Sequence, residues 1–363
     1  MPSHESPTEF LKEQLTPFLT LFTPTSDQNK DQLQDLIEKN REYFLNEVQK
    51  RGGVVFRDFT PIKVDEFDGF VQGTLELEAF NTFNSKGTPA FMANWLRSWS
   101  EKILGAGDYR RYLGKTTVRL GPVENSIQGP HVEGGGLTQR SRLLTLCCFE
   151  PGQERAETGI ADFSSVYKRL PAELQEKLKY GWNQYSYTTA HPLRLLDRLI
   201  LKISPLSVEM RKDGYATLTG QLCPASCLVP DTDEISIQPW SFARNSNPQV
   251  HRAAKEVFKD RGDFTQDSTA DALNMNWDLT DSQGNSIGWS EEEQYTLFKT
   301  IFREAYLMDW KKGDIAIIDN VRLGHWRMNG VQGNRQLVQI QANPFDALEH
   351  RVPEEVTSDE VMA

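Results

Sequence analysis

The chain has 363 residues, 38% of them hydrophobic and 25% charged, with a formal net charge of -11. That balance supplies enough apolar material for a sizeable buried core, and the length alone permits one large domain or two. A net-negative surface repels phosphate backbones and anionic lipid, so nucleic acid and membrane surfaces are disfavoured as partners and a small-molecule substrate in a local pocket is favoured.

The opening MPSHESPTEF has neither a basic start nor an apolar run, so no secretory signal is expected there. No stretch reaches the uninterrupted apolar length that spans a bilayer. Residues 27–50 read as a helix with Leu33, Leu36, Ile37, Phe44 and Val48 near one face, stopped by Gly52 and Gly53. GGVVFRDF (52–59) reads as a buried strand, and 64–105 mixes short helical patterns with turns. Residues 116–119 are strand-like and lead into a loop, 121–136, rich in Gly, Pro and Asn. RLLTLCCFE (142–150) predicts a strand, on which the adjacent Cys147 and Cys148 point to opposite faces.

Residues 163–180 read as two helical pieces, with Pro171 in the first turn of the second. The region 205–290 offers short strands such as YATLTG (215–220) and a helix at 249–259. A helix is expected from Ser290 to about Met308, opened by a Ser290/Glu293 capping box, with Leu297, Phe298, Ile301, Phe302 and Ala305 as its apolar stripe. KKGDIAIIDN (311–320) is turn, strand and turn, RQLVQIQ (335–341) a last alternating strand, and the tail 353–363 acidic and frayed. Helices early and turn-separated strands later predict a mainly β fold with flanking helices, a double-stranded β-helix or jelly roll. A single domain over 1–363 is expected, with helical insertions mainly at 60–115 and 163–310. Cys223 and Cys227 could pair but nothing requires it, and a reduced cytoplasmic protein is the simplest reading.

His131-Val132-Glu133 is the triplet that carries chemistry. In an extended segment the side chains at i and i+2 project to one side, where an imidazole and a carboxylate can grip one metal ion. With 6 histidines and 51 acids in the chain, about one such triplet arises by chance, so the motif needs context. His325, after the strand and turn of GDIAIIDNVRLGH, offers a third ligand. Two histidines and a carboxylate on one face of a metal leave coordination positions open, as non-haem iron(II) oxygenases require. Arg335 opens the last strand, and a guanidinium fork there suits a carboxylate in a partly buried pocket, or else a surface ion pair. The hydroxyl of Thr158 could share that carboxylate, or simply cap a turn beside Gly159.

PHVE (130–133), ETGIAD (157–162), RLP (169–171), the GDIAIIDN strand, His325, Arg335 and the early GGVVFRDF strand together resemble the taurine/2,4-D dioxygenase-like branch of the iron(II)/2-oxoglutarate oxygenases, which includes the clavaminate synthase-like enzymes. The resemblance covers most of the chain. It implies Fe(II) held by His131, Glu133 and His325, with 2-oxoglutarate and O2 as cosubstrates and Thr158 and Arg335 on the distal carboxylate of 2-oxoglutarate. Many members carry Asp where Glu133 stands. Glutamate occurs in a subset that includes enzymes acting on free amino acids, which tilts the substrate toward an amino acid or a related carboxylate. The presence of Glu133 argues against a halogenase, which needs a small residue there.

Gly134, Gly135 and Gly136 lack the Lys-Ser/Thr of a phosphate loop and read as a flexible active-site loop or a mobile lid. Arg140, Arg142 and Arg327 flank the metal triplet and third ligand. Each is a candidate for a substrate carboxylate, against the alternative of a solvated salt bridge. The expected activity is oxidation of a C–H bond by hydroxylation, desaturation or ring closure. A metal-dependent hydrolase or isomerase, or a non-catalytic binding protein on the same barrel, are the rival readings.

Overall fold

The computed structural model describes residues 7–80, 90–103, 111–113, 116–120, 127–202, 204, 206–241, 247–259 and 274–354. Alternation along its strands sorts the side chains into separate cores. The long strands Gln139–Glu150 and Gln336–Asp346 pair antiparallel at the heart of an eight-stranded sheet. On one side follow Ile315–Asp319, Gly53–Phe56, Leu19–Pro24 and Phe10–Thr16, and on the other Val118–Arg119 and Arg111–Tyr112. A smaller three-stranded sheet holds Thr158–Asp162 between Tyr306–Met308 and Leu323–Arg327.

Leu144, Leu146, Cys148, Ala316, Ile318 and Leu337 of the large sheet form one buried cluster with Ile160, Met308 and Leu323 of the small one. The two sheets therefore pack face to face, as a jelly roll requires. The opposite face of the large sheet sends Cys147, Ile315, Ile317, Val338 and Ile340 against helix Leu33–Arg51 through Leu36, Ile37, Phe44 and Val48. Cys147 and Cys148 thus enter different cores, as the strand period dictates.

Behind the small sheet, Ala161, Trp326 and Phe163 meet Phe298, Ile301 and Phe302 of helix Glu291–Arg303. Two glycines permit this contact. A Cβ on Gly324 would sit 1.7 Å from the Phe163 ring, and one on Gly159 would sit 2.2 Å from the Trp326 indole.

The strand at 142–150, the paired helices Phe163–Arg169 and Ala172–Tyr180, and helix Pro248–Val257 lie where their patterns place them. The Ser290 capping box forms with both of its reciprocal bonds. That helix, however, ends at Arg303 rather than near Met308. Tyr306–Met308 instead pairs with Ile160, Gly159 and Thr158, supplying the small sheet with an edge strand. Backbone pairing there outweighs helix continuation.

The span 163–310, expected to carry helical insertions, also contributes a second sheet of five strands centred on Trp182–Thr188, one of them Ala216–Thr219 where YATLTG reads as a strand. Two N-terminal strands, Phe10–Thr16 and Leu19–Pro24, appear where no element was expected. Cys223 and Cys227 are buried thiols, not a disulfide. The tail beyond Glu354 and the loop residues 121–126 lie outside the described residues. Among the described residues no helix is long and apolar enough to cross a membrane.

The packing behind the small sheet makes a direct prediction. Gly324→Ala should destabilise the protein by about 1–3 kcal/mol, because the Phe163 ring must shift to admit the methyl group. The urea midpoint measures this, and a midpoint equal to wild type would contradict the close approach of ring and strand.

Candidate metal centre

Segment 129–133 is stitched into the fold from both sides. The His131 N–H donates to the His325 carbonyl at 3.1 Å, and the His325 N–H returns to the His131 carbonyl at 2.9 Å. Residues paired this way project to the same face of a sheet, and the two imidazole centroids lie 4.6 Å apart. On the other side, the Val132 N–H donates to the Pro239 carbonyl at 3.0 Å, and Ser241 Oγ donates to the Pro130 carbonyl at 2.5 Å. Gly129 allows this approach, since a Cβ there would stand 1.7 Å from the Ser241 carbonyl oxygen. Val132 turns into the apolar core while His131 and Glu133 turn the other way.

Ligand atoms of His131, Glu133 and His325 all lie within 4.8 Å of one another, and all three residues are buried. His131 Nδ1 lies 2.8 Å from the Gly129 carbonyl oxygen. A carbonyl can only accept, so Nδ1 carries the proton and Nε2 presents its lone pair. Glu133 is held at its backbone by Asn320, whose Oδ1 accepts from the Glu133 N–H at 2.7 Å. Asn320 Nδ2 donates to the Glu133 carbonyl at 3.0 Å and to the Ser141 carbonyl at 2.9 Å. Glu133 Oε2 accepts from Gln339 Nε2 at 3.3 Å. This donor set, two imidazoles and one carboxylate converging from one side, fits a divalent iron centre with further positions left for ligands.

The glycine run does not form a lid. Gly134, Gly135 and Gly136 are buried in a turn. Gly134 adopts φ +76°, and Gly136 lies so close under Trp240 that a Cβ would stand 2.6 Å from the indole. The turn is packed because the Trp240 segment also pairs with His131.

Arg327 and Thr158 sit opposite each other on neighbouring strands, two residues beyond the His325–Ile160 pair and so on the same face. Thr158 Oγ1 accepts from Trp310 Nε1 at 2.7 Å, which leaves the hydroxyl proton to be donated elsewhere. Arg335 is 6% exposed. Burial draws its guanidinium down to about 10, so it remains charged at pH 7. Among the described residues no carboxylate forms an ion pair with it.

The other candidate arginines divide. Arg327 lies in the ligand strand and is 4% exposed. Arg140 is buried against Gln238 Oε1 at 2.5 Å and over the Phe345 ring, 5.3 Å from its centroid. Arg142 faces Asp231 at 3.6 Å and Asp319 at 3.8 Å. Arg140 and Arg142 thus have internal partners, and Arg327 shares the strand and the face of His325. Asn320, Gln339 and Trp310 were not singled out by sequence reasoning. Asn320 stands in the IIDN turn, but nothing in one sequence distinguishes a clasping amide from a turn residue.

A family model described as taurine catabolism dioxygenase TauD, TfdA family matches residues 14–341. A search of curated proteins finds no match. Among solved structures, the chain is similar to PvcB, an Fe, alpha-ketoglutarate dependent oxygenase from an isonitrile synthetic pathway. That likeness has a TM-score of 0.54 at 11% identity and covers 97% of this chain and 98% of the other. A second structure of PvcB, from Pseudomonas aeruginosa, gives a TM-score of 0.52 at 10% identity over 97% and 98% of the two chains. At such identities these likenesses speak to the fold.

The Asn320 clasp is testable without turnover. Asn320→Ala strands the Glu133 N–H and two buried carbonyls, each at a cost of roughly 1–3 kcal/mol before relaxation. Chemical denaturation should show a loss of at least ~2 kcal/mol, and an unchanged midpoint would contradict the clasp.

Proposed function

The chain belongs to the TauD/TfdA family of dioxygenases, and from that premise we propose that it oxidises a C–H bond of a small carboxylate-bearing metabolite, an amino acid or a derivative of one. As a member it is a non-haem iron enzyme that uses 2-oxoglutarate and O2 as cosubstrates. Iron with these cosubstrates supplies the oxidising power, and 2-oxoglutarate leaves as succinate and carbon dioxide.

The observation that carries the site assignment is the convergence of His131, Glu133 and His325 within 4.8 Å. These three are proposed as the iron ligands. Arg335 is proposed to hold the distal carboxylate of 2-oxoglutarate, because a buried guanidinium with no carboxylate ion pair among the described residues gains most from an arriving carboxylate. Thr158 supports the same contact, since the bond it accepts from Trp310 turns its hydroxyl into a donor. Arg327, on the face of His325, is the residue proposed to meet the substrate carboxylate. The chain works as one oxygenase domain in this reading, the small sheet and the segment 129–133 paired to it holding the ligands and the insertions shaping the substrate's approach. Its role is to aim one C–H bond at the metal and exclude water. Hydroxylation is the default outcome; desaturation and ring closure begin with the same abstraction.

A succinate-release screen tests this directly. Purified protein with iron(II), 2-oxoglutarate and a panel of amino acids and small carboxylates should release succinate with at least one of them. Arg335→Ala should raise the 2-oxoglutarate requirement about tenfold or more, the worth of a charge-assisted contact, and Thr158→Ala should raise it less. Turnover independent of 2-oxoglutarate would point to hydrolase or isomerase chemistry. Turnover confined to neutral, carboxylate-free compounds would overturn the substrate class alone.

A further inference from the structure

Gln339 lies on Gln336–Asp346, where Val338 and Ile340 face the helix-side core and Leu337 faces the space between the sheets. By the same alternation Gln339 points inward with Leu337, and it is only 1% exposed. Its amide is half satisfied. The Glu133 carboxylate accepts hydrogen bonds and donates none, so the nitrogen of Gln339 must face it, at 3.3 Å, and the carbonyl oxygen must point away. That oxygen is buried and has no hydrogen-bond partner among the described residues. An apolar side chain of similar length would fill the same space without an orphaned acceptor, so the fold alone does not favour glutamine here.

The amide's one engaged atom meets the flexible end of Glu133. A glutamate has one more rotatable bond than an aspartate, and Asn320 fixes only its backbone. Its orientation toward two histidines is set by contacts to the carboxylate itself, and Gln339 Nε2 makes one of them. We propose that Gln339 is a positioning residue, kept at a cost to fold stability, that fixes the rotamer in which Glu133 joins His131 and His325. The inference rests on the assignment of Glu133 as a metal ligand.

The test separates metal binding from packing in the full chain. Manganese(II) affinity is measured by calorimetry for wild type, Gln339→Met, Gln339→Leu and Glu133→Ala, and the thermal midpoint of each is recorded without metal. Both Gln339 variants should bind manganese about 10–100-fold more weakly, the range for loss of an outer hydrogen bond to a ligand. Their metal-free midpoints should equal or exceed that of wild type. Affinity within twofold of wild type would overturn the proposal, and so would a loss of metal-free stability in both variants, which would mark Gln339 as a packing residue. If Glu133→Ala binds manganese as tightly as wild type, the ligand assignment falls and the inference with it.

Discussion

The reciprocal pair of backbone hydrogen bonds between His131 and His325, at 3.1 and 2.9 Å, is the constraint on which the rest of the centre depends. It joins residues 194 positions apart in the sequence by making them cross-strand neighbours, and two neighbours on one face must present their rings together. Glu133 then follows from the alternation of the same short segment. The sheet framework supplies the rigidity: Leu323–Arg327 is pinned between Thr158–Asp162 and segment 129–133, with aromatic rings against its outer face at Gly324. Catalytic geometry placed on paired strands is held more closely than geometry placed on loops.

The second theme is buried charge. Glu133 and Arg335 are both nearly enclosed, at 5% and 6% exposure. Glu133 is engaged by Gln339 Nε2 at 3.3 Å and stands beside two imidazoles, a donor set that suits a cation. Among the described residues no carboxylate forms an ion pair with Arg335, and a buried guanidinium so placed suits an arriving anion. The polar groups around them serve orientation. Gly129 sets the His131 tautomer, Asn320 holds the Glu133 backbone, and Trp310 turns the Thr158 hydroxyl.

Much of this was legible in the sequence because it rests on short-range patterns. The strand at 142–150 shows an apolar run, the Ser290 box a capping pattern, and His131-Val132-Glu133 an i, i+2 spacing. Much of what escaped rests on contacts between distant segments. Tyr306–Met308 continues a helical stripe on paper and becomes a strand only because Thr158–Asp162 needs an edge partner. The glycine run after Glu133 has the composition of a mobile loop, but Trp240, about a hundred residues later, packs it down. Arg140 and Arg142 stand near the triplet in sequence, while Gln238, Asp231 and Asp319, all distant in sequence, engage them. Asn320 and Gln339 are ordinary amides until the fold brings each to Glu133.

The most direct measurement of the central claim is anaerobic absorption spectroscopy of the protein loaded with iron(II) and titrated with 2-oxoglutarate. A keto acid that chelates iron through its keto oxygen and adjacent carboxylate gives a weak visible charge-transfer band. The account predicts that band in wild type, saturating with one equivalent of 2-oxoglutarate, and its absence in His325→Ala that remains folded. No band in wild type, or an undiminished band in His325→Ala, would contradict the assignment of the triad as the iron and 2-oxoglutarate centre.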